Sequence, residues 1–207
     1  MAESASLSII IPCYNEEAAI HQVLDRYISV RRELNTTHFS AGVELIVVDD
    51  GSTDGTHQAL EKYRPFVTII NLPHRLGYGG AIKRGMGVAQ GDWLAFYDMD
   101  ATYDPLHIKI LMERIVRNQV TLASGDRLSQ LEEMPVIRRV GNLLFVGVLR
   151  LIFWRSVYDC CSGLRLFHRR HKETFIRHLP ERLNFTLAMT ILFLVIKEPF
   201  VEVPISY

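Results

Sequence analysis

The sequence predicts an α/β fold, an open and mostly parallel sheet flanked by helices, and three observations predict it. "LSIIIP" (7–12) and "VELIVVDD" (43–50) are nearly continuous aliphatic, largely β-branched runs, the pattern of strands buried on both faces. Between them, "EEAAIHQVLDRYISVRREL" (16–34) places Ile20, Val23, Leu24, Tyr27 and Ile28 at helical spacing, which completes a strand-helix-strand unit. Acids at 49, 50, 98 and 100 stand at the carboxyl ends of predicted strands, where open α/β sheets bind their ligands.

The remaining elements follow in order. A helix is predicted at "THQALEKYR" (56–64), a strand at "VTIINL" (67–72), a helix at "GGAIKRGMGVAQ" (79–90) and a strand at "WLAFYD" (93–98). Next come a helix at "PLHIKILMERIVRN" (105–118) and a strand at "VTLASG" (120–125). Alternation of this kind implies right-handed crossovers. After Gly125 it stops: an irregular segment leads to an amphipathic stretch at 141–158, and a late helix precedes the strand "FVEVPIS" (200–206). The expectation is one domain over 1–207, with a ligand-binding half at 1–125 and a second half at 126–207.

Composition narrows the class. Lys plus Arg and Asp plus Glu each number 23, so no overall basic field attracts nucleic acid, and a hydrophobic fraction of 48% supports one sizeable core. Cys13, Cys160 and Cys161 show no metal-ligand spacing, and the adjacent pair is poorly suited to one bridge, so structural roles in a reducing cytosol are expected. "MAESASLSIIIP" carries an acid where a signal peptide is basic. "LLFVGVLRLIFW" (143–154) is interrupted by Arg150 and "LAMTILFLVI" (187–196) is short of the ~20 residues that span a bilayer. The first of these carries Leu143, Leu144, Phe145, Val148, Leu151, Ile152 and Trp154 beside Arg150 and Arg155, which fits a lipid surface or a core helix equally.

Several constellations bear chemistry. In "VVDDGSTDGT", Asp54 and Thr56 read as a capped loop, whereas Asp49 and Asp50 exceed what a turn requires; an acid at a strand end accepts from a base N–H or a ribose hydroxyl. In "YDMDATYDP", Asp98 and Asp100 are two apart and share a side in extended chain. Two carboxylates about 5 Å apart at an effective dielectric of ~20 repel by roughly 3 kcal/mol, a sign that a divalent cation reverses. With oxygen ligands only, that cation is Mg²⁺ or Mn²⁺. Acids that diverge into solvent fit the bare pattern as well.

"HRLGYGGAIKRG" (74–85) is neither a dinucleotide fingerprint nor a P-loop, so anion binding and helix packing both fit it. Among Arg127, Arg138, Arg139 and Arg165, the first two are the candidates to grip phosphate. Asp104, before Pro105, reads as a helix-entry residue.

Taken together, "SIIIPCYNEE", "VVDDGSTDGT", "RLGYGGAIKRGMGVAQGDWLAFYDMDATYDP", "SGDR" and "DCCSGLRLF", in this order, resemble the family 2 glycosyltransferases over nearly the whole chain. Within them the likeness is to the polyprenol-phosphate sugar synthases. The resemblance implies the GT-A nucleotide-sugar fold. It implies that Pro12, Tyr14, Glu16 and Asp50 surround the nucleotide base and ribose, and that Asp98 and Asp100 form the D-x-D motif on nucleotide and metal. It further implies that Arg127 faces the donor phosphates, that Arg138 lies on the acceptor side, and that Ser162 and Gly163 lie near the sugar.

The implied reaction is metal-dependent and inverting, from GDP-mannose first or UDP-glucose next to a polyprenyl or dolichyl phosphate, catalysed around Asp100, Arg127 and Arg138. The implied setting is the cytosolic face of a membrane. A sugar or protein hydroxyl acceptor is the alternative, and a non-enzymatic receiver-like signalling domain a remoter one. Two departures stand out: Thr102 occupies the place of a Gln ligand found in some members, and the family's basic segment after the last strand would begin beyond Tyr207, so the chain is expected to be truncated.

Overall fold

The computed structural model describes residues 5–100, 103–127 and 136–205. Its elements are β1 (Ser6–Cys13), α1 (Ile20–Thr37), β2 (Gly42–Asp49), α2 (Thr56–Glu61), β3 (Thr68–Asn71), α3 (Tyr78–Val88), β4 (Trp93–Phe96) and α4 (His107–Asn118). They continue through β5 (Leu122–Asp126), α5 (Val136–Phe153), β6 (Arg165–His168), α6 (Lys172–His178), α7 (Phe185–Val195) and β7 (Val201–Pro204).

The described strands form one seven-stranded sheet in the order β3-β2-β1-β4-β6-β5-β7. The β1·β2, β1·β4, β2·β3 and β5·β7 pairs are parallel, and β6 runs antiparallel to both β4 and β5.

The aliphatic runs are explained by burial on both faces. Ile9 and Ile11 of β1 join Leu45 and Val47 of β2 in a cluster with α1 and α4, through Leu24, Tyr27, Leu111 and Ile115. The intervening Ile10, Ile46 and Val48 point the other way, onto Ile82 and Met86 of α3, Phe175 of α6 and Met189 of α7. Alternation of side chains across a strand thus makes successive positions apolar through 9–11 in β1 and 45–48 in β2.

Two predictions need correction. The amphipathic stretch read at 141–158 is helical over Val136–Phe153 and ends where Trp154 turns into the left-handed region at φ 52°. The sequence reading also lacked β6: "RLFH" is four residues long with an arginine at its start, so it shows neither alternation nor an aliphatic run. The helix read from 105 begins at His107, after Asp104 accepts the backbone N–H of Leu106 at 2.9 Å, the helix-entry role expected of it.

Helix α5 has two unlike faces. Val146 and Leu149 seat it against Val157, Cys160 and Leu194. Leu144, Val148, Ile152 and Leu151 lie on the outside, Leu151 at 75% and the following Trp154 at 90% exposure. Among the described residues no helix is long and apolar enough to cross a membrane.

Candidate active site

The site lies where β1, β2 and β4 end. Beyond Cys13 the chain is stitched to the loop after β2: the Asn15 N–H donates to Ser52 Oγ at 3.0 Å, Glu16 N–H to Thr56 Oγ1 at 2.9 Å, and Thr53 N–H to Asn15 Oδ1 at 2.8 Å. Asp54 accepts from Thr56 N–H at 3.0 Å, the capped loop that sequence predicts. The stitching leaves a groove of about 970 Å³ lined by Asn15, Glu16, Glu17, Asp54, Gly55 and Lys62. Tyr14 stands beside it with the Arg75 guanidinium 3.8 Å above its ring, an arrangement that sequence reasoning missed because 61 residues separate the pair in the numbering.

The two acids after β2 differ. Asp50 is buried, and its carboxylate oxygens accept the N–H groups of Leu76 and Gly77 at 2.7 and 2.8 Å. Asp49, also buried, accepts from Ser52 N–H at 2.9 Å. Asp50 therefore fixes the turn that opens α3, where Gly77 adopts φ 100° and a side chain would meet the Glu181 carbonyl. The Gly80 N–H donates to that same carbonyl at 2.9 Å. Of the two readings of the glycine-rich stretch, helix packing is the one these contacts describe.

The D-x-D pair sits past the end of β4. Met99 is buried while Asp98 is half-buried and Asp100 exposed, so the two acids share the open side of the chain. Asp98 Oδ1 accepts the Tyr78 hydroxyl at 2.7 Å. From behind, the backbone of Gly163 closes on the same carboxylate so tightly that a Cβ there would collide with it. The need for glycine at 163 is thus set by Asp98, 65 positions earlier. Glu16 feels this pair: burial raises its carboxyl above the ordinary value, and Asp100, Asp54 and Asp98 raise it further.

The donor set is oxygen only, and among the described residues no group of three or more His, Cys, Asp or Glu is placed to hold a metal. Two carboxylates with the remaining positions left to phosphate and water suit Mg²⁺ or Mn²⁺. Thr102 lies outside the described residues.

A second cluster faces the site from the late half. Arg127, just past β5, forks onto Asp159: Nε to Oδ2 at 2.7 Å, Nη2 to Oδ1 at 3.0 Å, and the backbone N–H to Oδ2 at 3.2 Å. The side chains are 12% and 0% exposed. Burial acts to raise the Asp159 carboxyl, but Arg127 and Asn142, which donates at 2.6 Å, outweigh it and hold it below the usual range.

Asp159 is a residue that sequence reasoning quoted without assigning; its signal was only the proximity of "SGDR" and "DCCSG" in the family order. Arg165, considered for phosphate, is instead buried in β6, and its Nη2 donates to the Cys160 carbonyl and Thr190 Oγ1, each at 2.9 Å. Ser162 is buried, with its Oγ accepting from Leu164 N–H at 3.3 Å. Pro12 is buried in β1 beside Val48. Arg138 falls in the first turn of α5, and its side chain is outside those described.

A model of the family described as Glycosyl transferase family 2 matches residues 8–175. A dolichyl-phosphate beta-glucosyltransferase of Dictyostelium discoideum is 27% identical over 218 residues, covering 97% of this chain and 66% of that protein. A dolichol-phosphate mannosyltransferase of Pyrococcus furiosus is 30% identical over 209 residues, covering 97% of this chain and 56% of that one. The chain thus spans less than two thirds of the length of either relative.

The crystal structure of glucosyl-3-phosphoglycerate synthase from Mycobacterium tuberculosis with Mn²⁺, uridine diphosphate and phosphoglyceric acid matches with a TM-score of 0.73 at 23% identity, over 97% of this chain and 68% of that one. The fold is the GT-A fold that the resemblance implies.

Proposed function

The chain belongs to glycosyl transferase family 2, and on that premise we propose that it transfers a sugar from a nucleoside diphosphate to a polyprenyl or dolichyl phosphate. Membership sets aside the receiver-like alternative. The acceptor class is supported by the two relatives, one named for a glucosyl and one for a mannosyl transfer to the dolichyl phosphate carrier. UDP-glucose and GDP-mannose are accordingly the donors to test.

The observation that carries the chemistry is the Asp98 carboxylate past the end of β4, held by Tyr78 and braced by Gly163, with Asp100 two residues on. Asp98 and Asp100 are the residues to hold Mg²⁺ or Mn²⁺, which when bound neutralises charge on the departing diphosphate. Arg127, set in place by Asp159, offers N–H groups toward phosphate oxygens, and Tyr14 with Pro12 and Glu16 borders the nucleotide. Arg138 is assigned to the acceptor phosphate, and Ser162 and Gly163 to the sugar side.

No general base is assigned: from Leu183 to Thr190, across the start of α7, there is no acid, and a phosphate monoester with a second pKa near ~6 is already an anion at neutral pH. The exposed outer face of α5, with Trp154 beyond it, supports assigning that surface to a membrane, and the reaction is assigned to the membrane's cytosolic face. One domain comprises both halves of the site, although the matched relatives are longer.

A panel of nucleotide sugars with Mn²⁺ or Mg²⁺ and a short polyprenyl phosphate tests this reading. Transfer to the lipid phosphate is expected, falling about 10²–10³-fold in Asp100→Asn. Transfer to a sugar or peptide hydroxyl instead, with none to the lipid phosphate, would overturn the acceptor assignment.

A further inference from the structure

Cys160 and Cys161 are the nucleophilic groups that the proposed reaction leaves unused. Their sulfurs lie 3.7 Å apart, Cys160 buried and Cys161 half-exposed. The pair is wired into the late half of the site. The Cys160 thiol donates to Asn142 Oδ1 at 3.2 Å, Asn142 Nδ2 donates to Asp159 Oδ1 at 2.6 Å, and Asp159 holds Arg127. The Cys161 N–H also donates to Asp159 Oδ1, at 3.1 Å. Two residues, Asn142 and Asp159, therefore connect a dithiol to the guanidinium assigned to phosphate.

We propose that Cys160 and Cys161 form a peroxide-sensitive vicinal dithiol, a modification site whose closure to a disulfide loosens the Asp159 clamp on Arg127. The chemistry balances with hydrogen peroxide as oxidant. The Cys161 thiolate attacks one peroxide oxygen and becomes a sulfenic acid as hydroxide departs; the Cys160 sulfur then attacks the Cys161 sulfur. The sulfenic hydroxyl leaves with the Cys160 proton as water. Two electrons pass from the sulfurs to the peroxide, which ends as two waters.

The half-buried Cys161 is the sulfur that a small oxidant reaches, with Cys160 buried behind it as the resolving thiol. Closure removes the S–H that Asn142 accepts from, and it draws together two residues whose backbone donors and carbonyls tie them to Asp159, Arg165 and Thr190. Adjacent Cα atoms across a trans peptide are about 3.8 Å apart, below the usual 4.4–6.8 Å of bridged cysteines, so the bond formed is readily reduced. The consequence for Arg127 rests on the function proposed above; the thiol chemistry does not.

The test uses the whole chain. After mild hydrogen peroxide, thiol titration should fall from three per chain to one, recover with dithiothreitol, and yield a peptide joining 160 to 161. Phenylarsine oxide, which takes paired thiols, should bind one per reduced chain and block the peroxide reaction; this measurement needs no variant and so stands if Cys161→Ser does not fold. Where that variant folds, it should lose the arsenical site. Sulfinic acid on Cys161, intermolecular dimers alone, or failure to take the arsenical would overturn the site.

Affinity for UDP-glucose and GDP-mannose with Mn²⁺, compared between reduced and oxidised chain, reads the coupling. A reversible loss of about tenfold or more is expected. Equal affinity in the two states would overturn the coupling, whereas a reduced chain that binds neither nucleotide sugar would instead count against the proposed function.

Discussion

The two halves of the candidate site are anchored by different physics. On the side of β1, β2 and β4, carboxylates accept backbone N–H groups: Asp49 from Ser52, Asp50 from Leu76 and Gly77, Asp54 from Thr56, Asp104 from Leu106. On the late side one buried carboxylate gathers charged and polar side chains as well as backbone: Asp159 holds the Arg127 fork and Asn142 across 32 and 17 positions, besides the Arg127 and Cys161 N–H groups. Backbone donors are supplied by the fold and survive substitution of neighbours. The late half turns on one buried carboxylate paired with a charged partner, whose removal leaves a buried charge uncompensated, so it should be the more fragile.

The sharpest break is Asp159→Ala. It leaves the Arg127 guanidinium, 12% exposed, without its carboxylate, a loss of the kind that costs about 3–5 kcal/mol. Urea unfolding should show a midpoint lowered to match, and a loss below about 1 kcal/mol would mean that the pair does not anchor this half. The pH dependence follows from the depressed carboxyl. The stability from the pair is present above the ordinary Asp value of about 3.9 and is lost as pH falls through the lower folded value, a loss that Asp159→Asn should remove.

Asp50→Ala is the matching change on the other side, and a smaller one. It removes two hydrogen bonds to a charged acceptor, each of a kind worth about 1.5–3 kcal/mol net, but the freed Leu76 and Gly77 N–H groups sit in a surface loop that water can reach. An expected cost of about 2 kcal/mol places it below Asp159→Ala. A cost above that of Asp159→Ala, in the same urea series, would reverse the comparison.

The same contrast explains what sequence reasoning could reach. The first five strands and four helices were legible because burial forces aliphatic runs, on both faces in β1 and β2, and crossovers force helices between them. The helix-entry role of Asp104 was legible because its partner, the Leu106 N–H, is local, whereas Tyr78 and Gly163, which hold Asp98, stand 20 and 65 positions from it. β6 was not legible, since it is four residues long, begins with Arg165 and pairs antiparallel with β4 and β5. Nor was Asp159: nothing local to "YDCCSG" announces that its partner is Arg127. The glycine-rich loop was ambiguous because only the fold brings the Glu181 carbonyl to Gly77 and Gly80.

The smallest expected effect on stability separates the two faces of α5. Leu149 is buried against Val157 and Leu194, so Leu149→Ala should cost about 2–5 kcal/mol, as core truncations do. Leu151, two residues on, is 75% exposed, and Leu151→Ser should change unfolding free energy by no more than about 0.5 kcal/mol. A side chain indifferent to folding is well placed to matter elsewhere. If the outer face meets lipid, Leu151 exchanges water for hydrocarbon on binding, a transfer worth about 1.5–3 kcal/mol, so affinity for vesicles with anionic headgroups should fall by roughly tenfold or more in Leu151→Ser. Flotation of both proteins with the same vesicles checks this directly. Equal association would show that the exposed face contributes nothing to membrane contact.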